Sequence, residues 1–188
     1  MVRIIDAGRP PIELLEGDVL TTPGVWHFDE APTGPGDSVP IWRGYLVNVT
    51  DGQPTVVRLG ERDALVEAWP RLAGWLTPFE LASLIARYFG RDAGLAAHHT
   101  VIESRPDAER LLADPADLPE KVGPPRLSEP RPADGLVTLS FFSTFVEPGL
   151  DGEPTIGLCY WKARWGLAVG LAWDSLVIVR RLASVFAA

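Results

Sequence analysis

The chain has 188 residues, enough for one domain of ordinary size, and we expect a single domain over 1–188. Its hydrophobic share of 46% and charged share of 22% are typical of a chain that folds around a packed core, which excludes disordered, collagen-like and coiled-coil proteins. The net charge is −8 at pH 7, and a surface this acidic would repel the phosphates of nucleic acid and anionic membranes, so we expect neither as a partner.

The N-terminal part is expected to be irregular until a β-hairpin begins. Residues 1–40 hold only short apolar pieces between prolines and glycines. Two runs rich in β-branched residues then flank Asp51-Gly52-Gln53-Pro54, in which glycine permits the positive φ that tight hairpin turns need. The pattern predicts two antiparallel strands over 41–59.

Helices are predicted between 61 and 90, where the apolar period changes from two to nearly four. Pro70 and Gly74 should bend or break the first helical segment. The second segment begins at Thr77-Pro78-Phe79-Glu80, which offers a capping threonine, a proline at the first helical position and a capping-box glutamate. Gly90 supplies its C-terminal stop, so this should be the best-defined helix in the chain.

The middle of the chain combines short elements with a proline-rich segment. A short strand over 100–103 and a short helix over 106–113 are expected first. The segment 114–135 then holds six prolines in 22 residues, a composition that favours an extended connector or arm with little core of its own.

The C-terminal part is predicted to be the richest in β-structure. Alternating runs over 136–146 and 155–165 read as paired strands, and further apolar runs extend to 182. Asp-Gly-x-Pro-Thr occurs at both 51–55 and 151–155, and because Asp-Gly-x-Pro is favourable turn chemistry, we interpret it as two hairpin turns rather than a duplication.

These elements together predict an α+β fold. We expect an antiparallel sheet from the hairpin 41–59 and strands within 136–182, packed against helices from 61–90. Alternating polarity, rather than continuous apolar runs, favours antiparallel pairing.

The sequence indicates a cytoplasmic protein without a membrane segment. Three charged residues among the first nine interrupt any apolar core of a signal peptide. The longest apolar run, 165–173, is far shorter than the roughly 20 residues that a spanning helix needs. Cys159 is the single cysteine, which excludes an internal disulfide and agrees with a reducing compartment.

Candidate catalytic residues are few. The chain has three histidines, His27, His98 and His99. His99 and Glu103 are four residues apart and could share a face, and His27 could complete a two-histidine, one-carboxylate set. No HExxH or HxH spacing is present, so we assign no metal and no cofactor and keep His99, Glu103 and His27 as the catalytic candidates.

The remaining motifs argue against several enzyme classes. Cys159 lies among apolar neighbours without an electropositive setting, so we expect a buried structural thiol rather than a nucleophile. No Gly-x-Ser-x-Gly elbow, no Gly-x-Gly-x-x-Gly turn and no Gly-x₄-Gly-Lys-Ser/Thr loop occurs. These observations count against serine hydrolases and nucleotide-dependent enzymes of the corresponding families.

An aromatic and acidic patch is the strongest binding candidate. The chain has seven tryptophans, a residue enriched in binding hot spots. One of them lies in Trp26-His27-Phe28, directly before two acids and in a context that reads as a loop. The residues expected to bind a partner are Trp26, Phe28, Asp29, Glu30 and Asp37.

We therefore expect a small acidic protein that acts by protein–protein binding, such as an immunity- or antitoxin-type inhibitor of a basic partner. A metal- or histidine-dependent hydrolase or isomerase that uses His99, Glu103 and His27 is one alternative. A structural subunit of a larger assembly, with the arm 114–135 wrapped around a neighbour, is the other.

Overall fold

A computed structural model describes residues 2–4, 12–14, 24–30, 43–50, 53–59, 62–89, 99–111, 118–148, 154–166 and 170–182. These ranges contain ten strands and three helices. In chain order they are β1 Val2–Ile4, β2 Ile12–Leu14, β3 Gly24–Glu30, β4 Arg43–Thr50, β5 Gln53–Leu59, α1 Arg62–Trp75, α2 Pro78–Phe89, β6 His99–Val101, α3 Arg105–Leu111, β7 Arg126–Leu127, β8 Val137–Pro148, β9 Pro154–Trp165 and β10 Ala172–Leu182.

The fold is α+β with antiparallel sheets, as predicted. The strands form a two-stranded sheet (β1-β2), a three-stranded sheet (β3-β4-β5) and a five-stranded sheet in the order β10-β9-β8-β6, in which β7 also pairs with β8. The hairpin 41–59 thus belongs to a different sheet from the strands of 136–182. The chain divides into two compact units, Met1–Ala68 and Trp69–Ala188, and the single domain over 1–188 stays a prediction.

The first unit contains strands where the sequence predicted irregular structure. That prediction was wrong for β1, β2 and β3. Strand β3 pairs along its full length with β4, from Gly24 opposite Val49 to Glu30 opposite Arg43. The partner strand β4 therefore supplies backbone hydrogen bonds that no local sequence pattern predicted. The hairpin is confirmed, with Thr50 opposite Gln53, while residues 51–52 of its turn lie outside the described residues.

Helix α1 continues through both Pro70 and Gly74, so these residues do not break it, and a bend at them stays a prediction. Pro70 is exposed, and the residues one turn apart on the opposite side, Leu65, Trp69 and Leu72, are fully buried. Burial of three large apolar side chains, worth roughly 1.5–3 kcal/mol each, outweighs the lost backbone hydrogen bond of one proline.

Helix α2 begins where the capping signals predicted. The Thr77 backbone N–H donates to Glu80 Oε2 at 2.7 Å, and the Glu80 backbone N–H donates to Thr77 Oγ1 at 3.3 Å. This reciprocal capping box satisfies two backbone donors at the helix start. The predicted stop at Gly90 lies outside the described residues.

The five-stranded sheet presents two faces, set by strand alternation and register. Phe141 lies opposite Trp161 and Ser143 opposite Cys159, so these four residues share one face, called here the inner face. All four side chains are buried. On the same face, Trp165 meets the ring of Trp69 from α1 edge to face, with centroids 5.5 Å apart. Helix α2 packs against β6 and β8.

The opposite, outer face is covered in part by α3 and by the segment that follows it. Phe142 and Leu158 of this face form one buried cluster with apolar residues of these elements, namely Ile102, Ala108, Leu118 and Val122. The predicted strand and helix over 100–113 are confirmed as β6 and α3. Two apolar residues of the proline-rich segment 114–135 are therefore buried against the sheet of the same chain.

Candidate functional site

A groove lies on the outer face, between the five-stranded sheet and the segment 119–126. Its volume is about 690 Å³, within the range of roughly 300–1,000 Å³ that is usual for ligand sites. Its floor comes from β8 and β9 and its rim from the proline-rich segment. The lining residues are Pro119, Glu120, Lys121, Pro124, Arg126, Ser140, Phe142 and Tyr160.

The floor of this outer-face groove is aromatic. The rings of Phe142 and Tyr160 lie 5.0 Å apart between centroids at an interplanar angle of 48°. Phe142 is buried in the core cluster, whereas Tyr160 is half-buried and reaches the groove. The hydroxyls of Tyr160 and Ser140 make no hydrogen bond to any described residue. The floor thus offers an apolar surface with two hydroxyls beside it.

The rim of the groove is fixed by packing and by hydrogen bonds. Leu118 and Val122 anchor the segment in the core cluster. The Arg105 guanidinium of α3 donates through Nη1 to the Pro119 carbonyl at 3.2 Å, and the Val122 backbone N–H donates to the same carbonyl at 3.1 Å. Prolines in such a segment also reduce the conformational entropy that ordering would cost. The rim is therefore a preformed wall.

Positive charge surrounds the groove although the chain as a whole is acidic. Lys121 and Arg126 line it, and Lys162 lies on the same face directly opposite Ser140 in the sheet register. Glu120 is the anionic residue of the lining, and Asp174 of β10 lies opposite Lys162 with its carboxylate paired to Arg164 at 2.7 Å. Within the described ranges, none of the three cations forms an ion pair, and all three are exposed.

An exposed apolar side chain extends the groove floor across the sheet. Leu176 of β10 lies opposite Tyr160 of β9, which neighbours Phe142 of β8. Leu176 is 63% exposed. These three residues, called here the outer-face strip, cross three neighbouring strands from the buried cluster to open solvent.

A polar cluster lies inside the sheet, on the inner face. The Trp161 Nε1–H donates to Ser143 Oγ at 2.8 Å, and Ser143 Oγ lies 3.0 Å from His99 Nδ1. Indole nitrogen is a donor only, which leaves the serine hydroxyl proton for His99 Nδ1 in the tautomer protonated on Nε2. A serine beside a histidine resembles a nucleophile–base pair, but Ser143 is fully buried, and such networks serve to specify a core.

The three predicted catalytic residues lie in different surroundings. His99 of β6 packs its ring against Phe145 and Trp161, at centroid distances of 5.5 and 5.4 Å. Glu103 is exposed and lines a second groove of about 500 Å³ beside α3. His27 lies in β3 of the first unit. Among the described residues no group of three metal-ligating side chains occurs, and a site built from these three residues stays a prediction.

Helix α3 explains the electrostatics of the second groove. The Ser104 hydroxyl donates to Asp107 Oδ2 at 2.5 Å, and Arg110 donates to Asp107 Oδ1. The Ser104 hydrogen bond, followed by Arg110, holds the pKa of Asp107 below its usual value. The stabilisation from this charged carboxylate is therefore present above its ordinary pKa and is lost as the pH falls through the lowered one.

Cys159 is buried, as the sequence predicted, and burial raises the pKa of its thiol to about 12. At about pH 8 the thiolate fraction is then on the order of one in ten thousand. We expect no labelling of the folded protein by iodoacetamide on the timescale that labels the denatured chain, followed by mass spectrometry. Fast stoichiometric labelling of the folded protein would contradict a closed inner face.

The predicted binding patch lies in a strand rather than a loop. Trp26, Phe28, Asp29 and Glu30 all belong to β3, so the loop context inferred from the sequence was wrong. The reason is the pairing with β4, in which Phe28 lies opposite Tyr45. Asp37 lies outside the described residues. Binding by these five residues stays a prediction.

Comparisons with known proteins found no matching protein family, no similar curated protein and no similar solved structure. None of the described helices has both the length and the apolar character needed to cross a membrane.

The sequence did not reveal the outer-face groove. The alternation of Ser140 and Phe142 with buried neighbours in 136–146 was a usable signal, because it places both on one face. The missing information was which segment covers that face, since Pro119 and Arg126 approach it only after the chain has turned back. Lys121, which lines the groove, and Lys162, which lies beside it, are the only two lysines in the chain.

Proposed function

We propose that this protein acts in the cytoplasm by binding a second protein, and that the outer-face strip is part of the contact. The observation that carries the proposal is the exposure of Leu176, 63%, directly beside the aromatic floor of a preformed groove. Exposed apolar surface that continues a groove is typical of interaction sites. Aromatic anchors beside such surface are typical of binding hot spots.

The extent of the strip favours a protein over a small molecule as the partner. Neighbouring strands lie about 4.8 Å apart, so the step from Phe142 to Leu176 spans about 10 Å across the sheet. A small ligand in the groove would cover the floor and leave Leu176 in solvent. A segment of a partner protein can cover both.

Site-specific photocrosslinking in the native host tests this proposal. A photoreactive phenylalanine at position 176 is expected to form a crosslink to one partner protein. The matched control is position 146, because Val146 is also an exposed apolar residue of the outer face, 48% exposed, but lies outside the strip. The partner, once identified and purified, should bind the wild-type chain and lose affinity by about tenfold or more for Leu176→Asp, a loss typical of a contact residue.

Three outcomes would overturn the proposal. They are an absence of crosslinks at 176, equal crosslinking at 146, and unchanged affinity of Leu176→Asp for the purified partner. A crosslink between two copies of this chain would mean that the strip mediates self-association rather than binding to a second protein. Leu176→Asp changes an exposed side chain, so loss of the fold does not confuse the result.

A basic partner at β3 is the second candidate. The observation that favours it is the position of β3 at the end of the order β3-β4-β5, where it pairs with β4 and, among the described residues, with no other strand. Such outer strands can accept a strand from a partner. The double substitution Asp29→Lys, Glu30→Lys should slow association with a basic partner such as a toxin and weaken its salt dependence. Unchanged association kinetics would remove this surface from consideration.

A further inference from the structure

The charge around the outer-face groove has the opposite sign to that of the chain. Lys121 and Arg126 line the groove together with the carboxylate of Glu120. Lys162 stands beside it, opposite Asp174 of β10, whose carboxylate is paired with Arg164 at 2.7 Å, so the described residues still leave a local excess of cations. The rest of the chain is acidic enough to bring the total to −8. An apolar groove with an excess of unpaired positive side chains beside it favours the binding of an anionic group.

The local charge outweighs the remote acidic residues under cellular conditions. Charges in solvent are largely screened beyond a Debye length of about 8 Å at physiological ionic strength. A carboxylate placed in the groove lies near Lys121 and Arg126, whereas acidic residues on other surfaces are farther away and screened. The net charge therefore slows the approach of an acidic partner only weakly.

The groove also offers the other contacts that such a partner needs. Tyr160 and Phe142 provide an aromatic surface, and the hydroxyls of Tyr160 and Ser140 have no hydrogen-bond partner among the described residues. The arginine fork can bind a carboxylate through two parallel hydrogen bonds. A side chain with an aromatic or large aliphatic group would cover the floor.

We infer that the segment bound along the outer-face strip is an acidic peptide that also carries an aromatic or large aliphatic side chain. This inference rests on the proposed function, because it names the chemistry of the partner at the same surface. It also predicts that the surface rejects a basic partner, which would have to bind elsewhere, for example at β3.

Selection from a phage-displayed library of random peptides tests the inference with the full chain as the target. The selected peptides should be acidic and contain at least one aromatic or large aliphatic residue. A synthetic peptide of the enriched sequence is then titrated by fluorescence polarisation. Arg126→Glu is expected to weaken its binding about five- to tenfold, and raising the salt concentration should weaken it further.

The matched control is Arg71→Glu, which changes the net charge by the same amount at an exposed position of α1 outside the groove. Its effect on peptide binding should be less than twofold. Acidic peptides that lose affinity equally with Arg126→Glu and Arg71→Glu would overturn the inference, because binding would then follow net charge alone. Equal binding of a single-stranded oligonucleotide, insensitive to Leu176→Asp, would overturn it as well.

The two proposals fail in different ways. If the selected peptides are neutral or basic and their binding is lost in the Leu176→Asp variant, the inference of an acidic partner is overturned. The proposal that a partner binds at the outer-face strip would then still stand. Peptides insensitive to Leu176→Asp, or no enriched peptide at all, would overturn the acidic-peptide inference, and photocrosslinking at position 176 would then decide the proposed function by itself.

Discussion

Replacement of Trp161 by alanine is expected to lower the free energy of unfolding by about 3–5 kcal/mol. The Trp161 side chain is fully buried at the centre of the five-stranded sheet. Its ring stacks on Phe141 at a centroid distance of 5.7 Å and an interplanar angle of 4°, and it meets His99 edge to face at 5.4 Å. Truncation would leave a large cavity and would remove one hydrogen-bond partner of the Ser143 hydroxyl.

A milder substitution separates the ring contacts from the hydrogen bond. Trp161→Phe keeps an aromatic ring against Phe141 but removes the Nε1–H that donates to Ser143 Oγ at 2.8 Å. We expect a loss of about 1–3 kcal/mol, because a buried hydroxyl then lacks one of its partners. This variant also keeps the test informative if Trp161→Ala does not fold.

Guanidinium denaturation followed by far-ultraviolet circular dichroism measures both variants. Leu176→Ala serves as the control, since it truncates an exposed side chain of the same sheet and should change stability by less than about 0.5 kcal/mol. If Trp161→Ala lost no more stability than Leu176→Ala, the inner face would not be the core of this unit.

Local signals explain which parts of the fold the sequence could predict. The capping box at Thr77 and Glu80 lies within four residues, and its geometry follows from the residue types alone. Each Asp-Gly-x-Pro-Thr copy likewise joins a pair of antiparallel strands, β4-β5 and β8-β9, as short turns between alternating runs predict.

Features that depend on distant partners could not be predicted in the same way. Strand β3 has little alternating apolar pattern of its own and exists as a strand because β4 supplies its partner. Helix α1 passes Pro70 because burial of its opposite side compensates, which a propensity scale does not include. In both cases tertiary contacts stabilised a structure that the local sequence preference disfavoured.

The candidate sites show the same limit more clearly. His99 was singled out with Glu103, four residues away, yet its Nδ1 atom lies within hydrogen-bond distance of Ser143, 44 residues along the chain. The groove depends on the proline-rich segment, which the composition alone marked as an arm. Leu118 and Val122 are two of its few apolar residues, and their burial is what brings the charged rim to the sheet.

Gly157→Ala is expected to destabilise the protein by about 1–3 kcal/mol through a steric clash. Gly157 lies directly opposite Phe145 in the β8–β9 pair. A Cβ atom at position 157 would approach three atoms of the Phe145 ring to less than 3.0 Å. Phe145 is almost fully buried, with its ring against that of His99, so the ring has little room to move away.

The sign of this effect is informative because glycine in a strand is otherwise unfavourable. Replacing a glycine that has no special backbone geometry commonly stabilises a protein by roughly 0.4–1 kcal/mol, since the unfolded chain loses freedom. Gly74→Ala is the matched control: Gly74 lies inside α1, the alanine methyl would have no neighbouring side chain within 4 Å, and alanine there should stabilise the helix. The two Gly→Ala substitutions are therefore expected to change the denaturation midpoint in opposite directions.

A compensating substitution distinguishes the clash from a general loss of strand structure. Phe145→Leu removes the ring atoms that the new methyl would meet, so it should cost less stability in the Gly157→Ala background than in the wild-type chain. Strictly additive free energies would mean that the two positions do not share space. Because a Cβ atom at position 157 meets the Phe145 ring in the register that places the two residues opposite each other, that result would require β8 and β9 to be paired in a different register.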